Sequence, residues 1–478
     1  MASRDPARPN VLFILSDDQG PWALGCAGNP DIHTPHLDAL AVGGTRLSRF
    51  FCASPVCSPA RASLFTGRIP SQHGVHDWIS AGHVGPDGTD FVAGQPLFTD
   101  DLAESGWRLG LIGKWHLGAN DRPRPGFVRW LAHESGGGPY RDTVLYDGDR
   151  GPTPAPGYLT DVLSEQARAF LDDEAPRPEP FYLSLHYTAP HKPWKGQHPA
   201  EFTALYKDCD FASVPDRPAH PWQPLDEAGV PVGGEADTRA ALVGYFAAVS
   251  AMDAGIGSVL AKLDRLGLTE STLVVFSSDN GFNTGHHGIW GKGNGTFPQN
   301  MYDSSVLVPA IVSQPGRVAA GQVSDALLSA YDLRPTVSEY LGLPPGDGGL
   351  PGRSFTDILT GTAAGQRDRV VVYDEYGPVR MIRTRDWKYV HRYPHGPHEL
   401  YRLDTDPGEE NNLAGVPEHR RHRDRLAAEL DDWFAQYVDP AVDGSRLPVN
   451  GSGQSAPLSR APAPQAFPPA TYPTEPVY

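Results

Sequence analysis

The sequence predicts an α/β fold: a large doubly wound domain with a mixed, mostly parallel sheet, followed by a smaller C-terminal α+β domain. Continuous apolar runs such as residues 9–18 and 272–278 have the composition of central parallel strands, which are buried on both faces. These runs alternate along the chain with segments of helical periodicity, the order typical of a doubly wound sheet. Beyond Arg367 the pattern changes to short strands and then a helix, which predicts an antiparallel sheet plus helix.

In the first half of the chain, apolar strands and amphipathic helices are separated by long polar segments. Residues 121–157 are rich in glycine, proline and charge, so we expect long loops there, lying over the site. Residues 192–235 carry many prolines and little periodicity, which favours an insertion that shapes a pocket. The regular elements expected are strands at 9–18, 108–112 and 180–187 and helices at 34–40, 97–105 and 159–174.

The second half continues the alternation and then changes character. Residues 344–352 read as a loop, and the segment from 441 is dense in proline, serine, glycine and alanine, as in an extended or disordered tail. The regular elements expected are helices at 238–266, 326–341 and 418–437 and strands at 272–278, 307–313, 370–373, 379–384 and 388–391.

The length of 478 residues exceeds that of an ordinary single domain. We expect a large α/β domain at 1–366, an α+β subdomain at 367–440 and a Pro-rich extended tail at 441–478. The net charge of −17 argues against a nucleic-acid partner. The first ten residues do not resemble a secretory signal and no apolar run approaches membrane-spanning length, so we expect a cytoplasmic protein without a membrane partner.

The four cysteines are too few for a disulfide framework, and one of them stands out by its context. In the stretch CSPARASLFTGR from Cys57, Ser58 suits a helix N-cap, Pro59 the first helical position and Gly67 the helix end. Cys57 would then stand just outside a helix N-terminus, where unpaired N–H groups favour negative charge. With Arg61 one turn further on, this predicts a nucleophile in an anion-binding corner.

Four oxygen donors follow two predicted strands at their carboxyl ends, where open α/β sheets place their ligands. They are Asp17 and Asp18 after the first strand, and Asp279 and Asn280 after the strand at 272–278. Either pair alone more often caps a turn. Two matching pairs favour a site for a hard divalent cation such as calcium or magnesium.

Basic side chains also recur after predicted strands. Lys114 and His116 lie in the loop GKWHLG, His191 follows the strand at 180–187, and Lys292 follows the Asp279–Asn280 pair. Any one of them alone is more often a surface lysine or a structural histidine. Their recurrence at strand ends favours a site that binds an anion.

These motifs resemble those of a known family. CSPAR with the following SLFTGR is similar to the first signature of the type I, formylglycine-dependent sulfatases of the alkaline-phosphatase-like superfamily, and GLIGKWHLG is similar to the second. The resemblance extends from Asn10 to about Ala435 and includes ELYRLDTDPGEENNLA, which is typical of the smaller domain. It implies that residues 1–366 form the catalytic domain.

The resemblance also implies the cofactors and the chemistry. A separate formylglycine-generating enzyme would oxidise Cys57 to Cα-formylglycine, whose hydrate attacks sulfur with help from the cation and Asp279. His191, with Lys292, would protonate or stabilise the leaving oxygen, and His116 would accept a proton as sulfate is released. By the same resemblance, the cation, calcium or alternatively magnesium, is bound by Asp17, Asp18, Asp279, Asn280 and the modified Cys57, and the hydrate and sulfate are held by Arg61, Lys114, His116, His191 and Lys292.

Three other classes of protein share part of this pattern. A thiol phosphatase needs an arginine six positions after its cysteine, where this chain has Ser63, and is excluded. A phosphodiesterase or phosphonate monoester hydrolase on the same fold is the main enzymatic alternative, and the intact GKWHLG loop favours the sulfatase over it. The remaining alternative is a non-catalytic sulfated-glycan binder.

The substrate is predicted only by class: a sulfated small molecule or glycan, with a carbohydrate sulfate favoured. Three tryptophans near the site motifs could stack on a sugar or could pack in the core. Three residues soon after the nucleophile helix could contact substrate or only brace their loop. The tryptophans are Trp78, Trp194 and Trp290, and the other three residues are His73, His76 and Asp77.

Overall fold

The computed structural model describes residues 8–80, 83–85, 87–344, 346, 348–362, 372–461 and 463–469. Its strands are β1 (Asn10–Ser16), β2 (Thr45–Leu47), β3 (Phe50–Phe51), β4 (Arg108–Gly113), β5 (Phe127–His133), β6 (Arg141–Asp147), β7 (Pro152–Tyr158), β8 (Phe181–His186), β9 (Thr272–Ser278), β10 (Asn283–Thr284), β11 (Trp290–Gly291), β12 (Leu307–Val308), β13 (Ala310–Ser313), β14 (Gln322–Ser324), β15 (Leu328–Ser329), β16 (Val372–Tyr376), β17 (Val379–Arg383), β18 (Trp387–Arg392) and β19 (Glu399–Arg402).

The helices lie between these strands and after the last of them. They are α1 (Pro35–Val42), α2 (Cys57–Thr66), α3 (Pro70–His73), α4 (Phe98–Glu104), α5 (Leu159–Glu174), α6 (Ala200–Ala204), α7 (Thr238–Arg265), α8 (Asp303–Val306), α9 (Leu333–Leu341), α10 (Thr356–Leu359), α11 (Arg420–Tyr437) and α12 (Ala463–Ala466).

A ten-stranded mixed sheet in the order β14-β2-β13-β9-β1-β8-β4-β5-β6-β7 organises the large domain. Its central strands β9, β1, β8, β4 and β5 are parallel, as the apolar runs predicted. In their register Ser16 pairs with Ser278, and His186 pairs with both Leu15 and Gly113. The residues that follow β1, β9 and β4 therefore emerge side by side at the carboxyl edge of the sheet.

Hydrophobic cores cover both faces of the sheet because alternate residues of each strand point to opposite sides. Phe13 of β1 packs in one core with Phe65 of α2, and Ile14 packs in the other with Leu163 of α5 and Ile256 of α7. These two cores fix helix α2 on one face and α7 on the other. The helix that begins with Cys57 is thus packed beneath the carboxyl edge.

Helix α7 corrects the expectation that no apolar segment approaches membrane-spanning length. Within the described ranges it is one helix of 28 residues that is long and apolar enough to cross a bilayer, judged by length and composition. However, 78% of its apolar stretch is buried inside the protein. Burial of this kind is what a core helix shows, so the finding is weak evidence for a membrane segment.

The segment at 121–157 differs most from its prediction, because it forms strands β5, β6 and β7 instead of long loops. Strands β6 and β7 extend the sheet at its edge in antiparallel order. The sequence of β7, PTPAPGY, contains three prolines, which an edge strand tolerates because its outer N–H groups need no partner in the sheet. Composition alone therefore suggested a loop.

Other differences concern element boundaries. The helix expected at 326–341 begins only at Leu333, after β15 and a single helical turn. The strand expected at 307–313 is divided by Pro309 into β12 and β13, which belong to different sheets. Strand β19 was not expected, and residues 370–371 of the strand expected at 370–373 lie outside the described residues.

The C-terminal part contains an antiparallel sheet in the order β16-β17-β18-β19. Helix α11 packs on it through Leu426, Leu430 and Phe434, which confirms the predicted α+β pattern. The three-part division of the chain stays a prediction, and its boundary at 366 lies outside the described residues. After α11 the backbone is mostly irregular but closely packed, and Gln454 is fully buried.

Candidate active site

Helix α2 begins with Cys57 itself, not after it. Val56 has an extended backbone and its carbonyl accepts the N–H of Ala60, so Val56 takes the N-cap position that was expected for Ser58. The Ser58 hydroxyl instead accepts a hydrogen bond from the Ile79 N–H at 3.0 Å. Gly67 adopts a left-handed conformation and ends the helix as predicted. Every residue of α2 is buried.

The Cys57 thiol lies in a charged and buried environment. Lys292 Nζ donates a hydrogen bond to Sγ at 2.7 Å, and Asp17 Oδ1 lies 3.4 Å from Sγ. Burial raises the pKa of the Cys57 thiol to about 12, because the lysine charges only partly offset the lost hydration of a thiolate. An unmodified Cys57 would therefore be a protonated and poor nucleophile.

Three ion pairs surround this position, and all six side chains are buried. Lys114 Nζ lies 2.6 Å from Asp17 Oδ2, Arg61 Nε lies 2.9 Å from Asp279 Oδ2, and Lys292 Nζ lies 2.5 Å from Asp18 Oδ1. Arg61 also donates to the Lys114 carbonyl at 2.8 Å, which connects α2 to the GKWHLG loop. The carboxylates of two adjacent strand ends thus meet the cations of three other segments.

The carboxyl groups respond differently to this environment. Burial, reinforced by the nearby Asp279 carboxylate, raises the pKa of Asp17 to about 7. Burial acts in the same direction on Asp279, but Arg61 and the two lysines outweigh it and hold that pKa below its usual range. Burial likewise opposes ionisation of Asp18, whose pKa is nevertheless lowered by Lys292.

The donor set fits a divalent cation. One oxygen each of Asp17 and Asp279 and the Cys57 sulfur lie within 4.8 Å of one another. The Asn280 side chain donates its N–H to Asp18 Oδ1 at 2.8 Å, and its buried Oδ1 atom has no hydrogen-bond partner among the described residues. Carboxylate and amide oxygens gathered in this way are what calcium and magnesium prefer.

Two neutral histidines stand above this cluster. Burial lowers the pKa of His116 well below its usual value and that of His191 to about 4. His116 Nε2 donates to the Ile79 carbonyl at 2.9 Å, while its buried Nδ1 has no partner among the described residues. His191 Nδ1 donates to the Lys192 carbonyl at 2.6 Å, and its Nε2 lies 3.7 Å from Asp18 Oδ2.

Two glycines that the motifs did not indicate pack directly on these rings. A Cβ atom on Gly137 would lie 2.6 Å from His191 Cε1, and one on Gly136 would approach the His116 ring even more closely. Neither position tolerates a side chain without a shift of its histidine. The run of three glycines at 136–138 was the available signal, and it lies in the segment that was expected to be a loop over the site.

The site opens into a cavity of about 550 Å³. The five predicted site residues that line it are Asp18, Cys57, His116, His191 and Lys292. The other five are fully or almost fully buried beneath it: Asp17, Arg61, Lys114, Asp279 and Asn280. The structure therefore brings all ten residues together, and it adds wall residues from the 192–235 insertion and from the C-terminal tail.

The tryptophans and the residues after α2 divide between the cavity and the interior. Trp78 lines the cavity. Trp194 is 1% exposed and packs against Trp290, and neither of the two is a lining residue. His73, His76 and Asp77 are all buried and make internal hydrogen bonds, as bracing groups would.

Comparison with protein families and with individual relatives gives a consistent answer. The model described as Sulfatase matches residues 9–343, and the model described as N-sulphoglucosamine sulphohydrolase, C-terminal, matches residues 285–436. Human arylsulfatase A is 30% identical over 461 residues, which cover 85% of this chain and 83% of that protein. The ulvan-active sulfatase of Formosa agariphila is 29% identical over 457 residues, which cover 91% and 83%.

Solved structures share the fold. A protein solved in complex with its substrate D-glucosamine-2-N,6-O-disulfate superposes with a TM-score of 0.74 at 23% identity, covering 90% of this chain and 98% of its own. The phosphonate monoester hydrolase of Agrobacterium radiobacter superposes with a TM-score of 0.68 at 23% identity, covering 90% and 96%. At these identities the two likenesses establish the fold alone. Because the Sulfatase model spans more than half of the chain, this protein belongs to the sulfatase family, the sulfuric ester hydrolases of the alkaline-phosphatase-like superfamily.

Proposed function

We propose that this sulfatase removes sulfate from a carbohydrate sulfate ester, using a formylglycine made from Cys57 and a divalent cation, calcium or alternatively magnesium. The observation that carries the proposal is the position of residue 57. It lies at the floor of the cavity between Asp17 and Lys292, with further buried cations beneath it. A sugar is supported by relatives named for carbohydrate sulfates, such as the ulvan-active sulfatase.

The modified residue and the cation supply what the encoded side chains lack. The hydrated aldehyde supplies one hydroxyl to attack sulfur and a second hydroxyl whose deprotonation releases sulfate, and the cation supplies positive charge beside the sulfate oxygens. Since Cys57 is 2% exposed in a helix that is buried throughout, we infer that a formylglycine-generating enzyme modifies the chain before α2 is packed.

The buried polar groups would bind and orient these groups. The cation ligands would be Asp17, Asp18, Asp279 and Asn280. Arg61 lies one turn after residue 57, on the same face of α2, and its buried Nη2 atom has no partner among the described residues. Arg61 is thus available to residue 57, while Lys114 and Lys292 would neutralise charge on the sulfate.

The two histidines would move protons at the cavity wall. His191 donates its Nδ1 proton to the Lys192 carbonyl, so Nε2 of the neutral ring carries no proton. Nε2 would therefore take up a proton from water in the cavity and then deliver it to the leaving alcohol oxygen. His116 holds the Ile79 carbonyl through Nε2, which leaves Nδ1 to accept a proton during sulfate release. Because burial keeps both rings neutral, neither ring adds a permanent charge to the site.

The test uses full-length protein produced together with a formylglycine-generating enzyme. Sulfate release is measured on sulfated mono- and oligosaccharides, and 4-nitrophenol release is measured on 4-nitrophenyl sulfate and on a 4-nitrophenyl phosphodiester, with Cys57→Ala as the inactive control. Mass analysis of the peptide that spans Cys57 is expected to show the aldehyde. Faster turnover of the phosphodiester, or full activity with an intact thiol, would contradict the proposal.

We also propose a cytoplasmic location. All four cysteines are unpaired in the structure, although Cys26 and Cys209 are only partly buried. Unpaired cysteines suit a reducing compartment. Fractionation of the source cells, with sulfatase activity recovered outside the soluble cytoplasmic fraction, would refute this location.

A further inference from the structure

A short segment of the C-terminal tail, residues 449–454, forms part of the wall of the substrate cavity. We call this segment the tail strap. Gly451 and Ser452 line the same cavity as Cys57 and His116. The strap lies outside both matched family regions, residues 9–343 and 285–436. It is therefore a part of the site that neither the signatures nor the family matches assign.

Asp77 fixes the strap to the large domain. Its Oδ2 atom accepts the backbone N–H groups of Gly451 and Gly453, both at 3.1 Å. Its Oδ1 atom accepts the Tyr376 hydroxyl at 2.7 Å. The Asp77 side chain is fully buried, so these hydrogen bonds are shielded from water. One carboxylate thus holds two backbone positions of the strap and one residue of the smaller sheet.

The neighbouring residues hold the strap in one register. Gln454 pairs with Ile79 in a parallel bridge, donates its N–H to the Trp78 carbonyl at 2.8 Å and accepts the Ser80 N–H at 3.1 Å. Its side chain accepts the His76 N–H at 2.9 Å. The Trp78 indole in turn donates to the Gly451 carbonyl at 3.0 Å. These hydrogen bonds hold the strap in a defined position beside the cavity.

The same contacts connect the strap to the reacting groups. Ile79, which pairs with Gln454, accepts the His116 imidazole N–H through its carbonyl and donates its own N–H to Ser58 of α2. A displacement of the strap would therefore act on both His116 and helix α2 through the single residue Ile79. Its direct contact with the cavity, however, lies at Gly451 and Ser452.

We infer that the tail strap determines which sulfated alcohol the enzyme accepts, with Ser452 and Trp78 contacting the sugar and Asp77 acting as a positioning residue. This inference rests on the proposed carbohydrate sulfatase function. The sulfate-binding groups lie at the floor of the cavity, so the alcohol part of the ester must extend toward the walls. The Trp78 indole and the Ser452 side chain, which both line the cavity, present the apolar face and the polar group that a sugar ring matches.

The first experiment compares Ser452→Phe with Ser455→Phe in the full-length, modified enzyme. Ser455 is exposed and is not a lining residue, so the same change there is a matched control. For Ser452→Phe, kcat/KM on a sulfated disaccharide is expected to fall about tenfold further than on 4-nitrophenyl sulfate. The introduced phenyl ring would occupy cavity space that the larger alcohol needs. An equal loss on both substrates, or no loss on either, would overturn the inference.

Two further variants guard against misfolding and test the positioning role. Ser452→Ala adds no volume and is expected to raise KM for the disaccharide about threefold, the size of one lost hydrogen bond. Asp77→Asn places an N–H donor either toward both strap N–H groups or toward the Tyr376 hydroxyl and the Trp78 N–H, and is expected to raise KM for the disaccharide more than it lowers kcat. A merely structural Asp77 would affect the two substrates equally, which would refute its role.

Failure of the inference can be told apart from failure of the proposed function. Wild-type enzyme that releases sulfate from aryl sulfates and from no saccharide contradicts the proposed function. The strap is then tested with phenyl and 4-methylumbelliferyl sulfates, whose alcohols differ in size. If Ser452→Phe lowers kcat/KM more for the larger alcohol than for the smaller one, the strap forms a wall of the cavity. Equal changes for the two substrates would overturn the inference.

Discussion

The backbone of Gly137 lies against the imidazole of His191, so closely that a Cβ atom on this glycine would stand 2.6 Å from Cε1. Gly138 differs, because its Cβ would lie 3.6 Å from the nearest atom, in ordinary van der Waals contact with His133. Neither glycine has a positive φ angle. Alanine at these two positions therefore tests the contact with the ring and not backbone strain.

Gly137→Ala is expected to lower kcat by about tenfold to a hundredfold, because a displacement of His191 by about 1 Å misaligns proton delivery to the leaving oxygen. Gly138→Ala should leave kcat within about twofold, the scatter expected where a methyl group meets no close atom. Steady-state kinetics on one sulfate ester compares the two variants. Equal activity of both alanine variants would show that the close contact does not position His191.

Arg61→Ala is expected to destabilise the fold as well as the site. Breaking its buried pair with Asp279 leaves that carboxylate without its direct ion-pair partner, which costs up to about 3–5 kcal/mol in the free energy of unfolding. Arg425→Ala removes one partner of an exposed pair with Glu429 and should cost at most about 0.5 kcal/mol. Urea unfolding without added metal measures both. A cost for Arg61→Ala no larger than that for Arg425→Ala would argue against the buried pair.

Removal and return of calcium should change stability through the oxygen donors at the carboxyl edge. Calcium added to chelator-treated protein is expected to raise the unfolding free energy by about 2.7 kcal/mol at a hundred times the dissociation constant. Asn280→Ala should weaken that stabilisation, whereas the same change at exposed Asn411 should not. A calcium-dependent shift in unfolding temperature that is unaltered in Asn280→Ala would exclude the amide oxygen as a ligand.

Acid sensitivity should depend on His73. Its Nδ1 accepts the Val75 N–H at 3.1 Å, so the proton lies on Nε2, which donates to the Ser63 hydroxyl at 3.0 Å. Burial lowers the pKa of His73 well below its usual value. The neutral ring therefore stabilises the fold above the unfolded pKa of about 6.5, and this contribution is lost as the pH falls below that value.

The variant His73→Gln is expected to lose stability less steeply than the wild type below about pH 6.5, by up to about 1.4 kcal/mol per pH unit. Exposed His395 provides the control, since His395→Gln should retain the wild-type slope. Urea unfolding at a series of pH values gives the slopes. Parallel slopes for His73→Gln and the wild type would mean that the buried ring is not the responsible group.

Helices and strands whose buried residues follow a regular pattern along the chain could be predicted from the sequence. Helix α5 and strand β9 have the predicted bounds, because an amphipathic period and a continuous apolar run are visible in the residues themselves. Strands β6 and β7 could not be predicted in this way. They lie at the edge of the sheet, where proline and charge are tolerated, so their composition is that of a loop.

The side chains of the candidate site could be predicted together, because their residue types indicate cation ligands and anion-binding groups. Asp17 and Lys292 are far apart in sequence, yet both contact Cys57, Asp17 from the end of β1 and Lys292 from the end of β11. The roles assigned to them stay predictions. The contributions of Gly137 and Gly451 were not predictable, since each acts through its backbone and leaves no chemical signature in the sequence.

The ion pairs at the floor of the cavity have an electrostatic consequence. Three carboxylates face three cations there, so the floor has little net charge by itself, inside a protein whose net charge is −17. A bound dication would therefore make the local electrostatic potential positive, which attracts an anionic ester. Binding of the substrate, and not only its cleavage, would then depend on cation occupancy. Binding would weaken as added salt screens the electrostatic attraction.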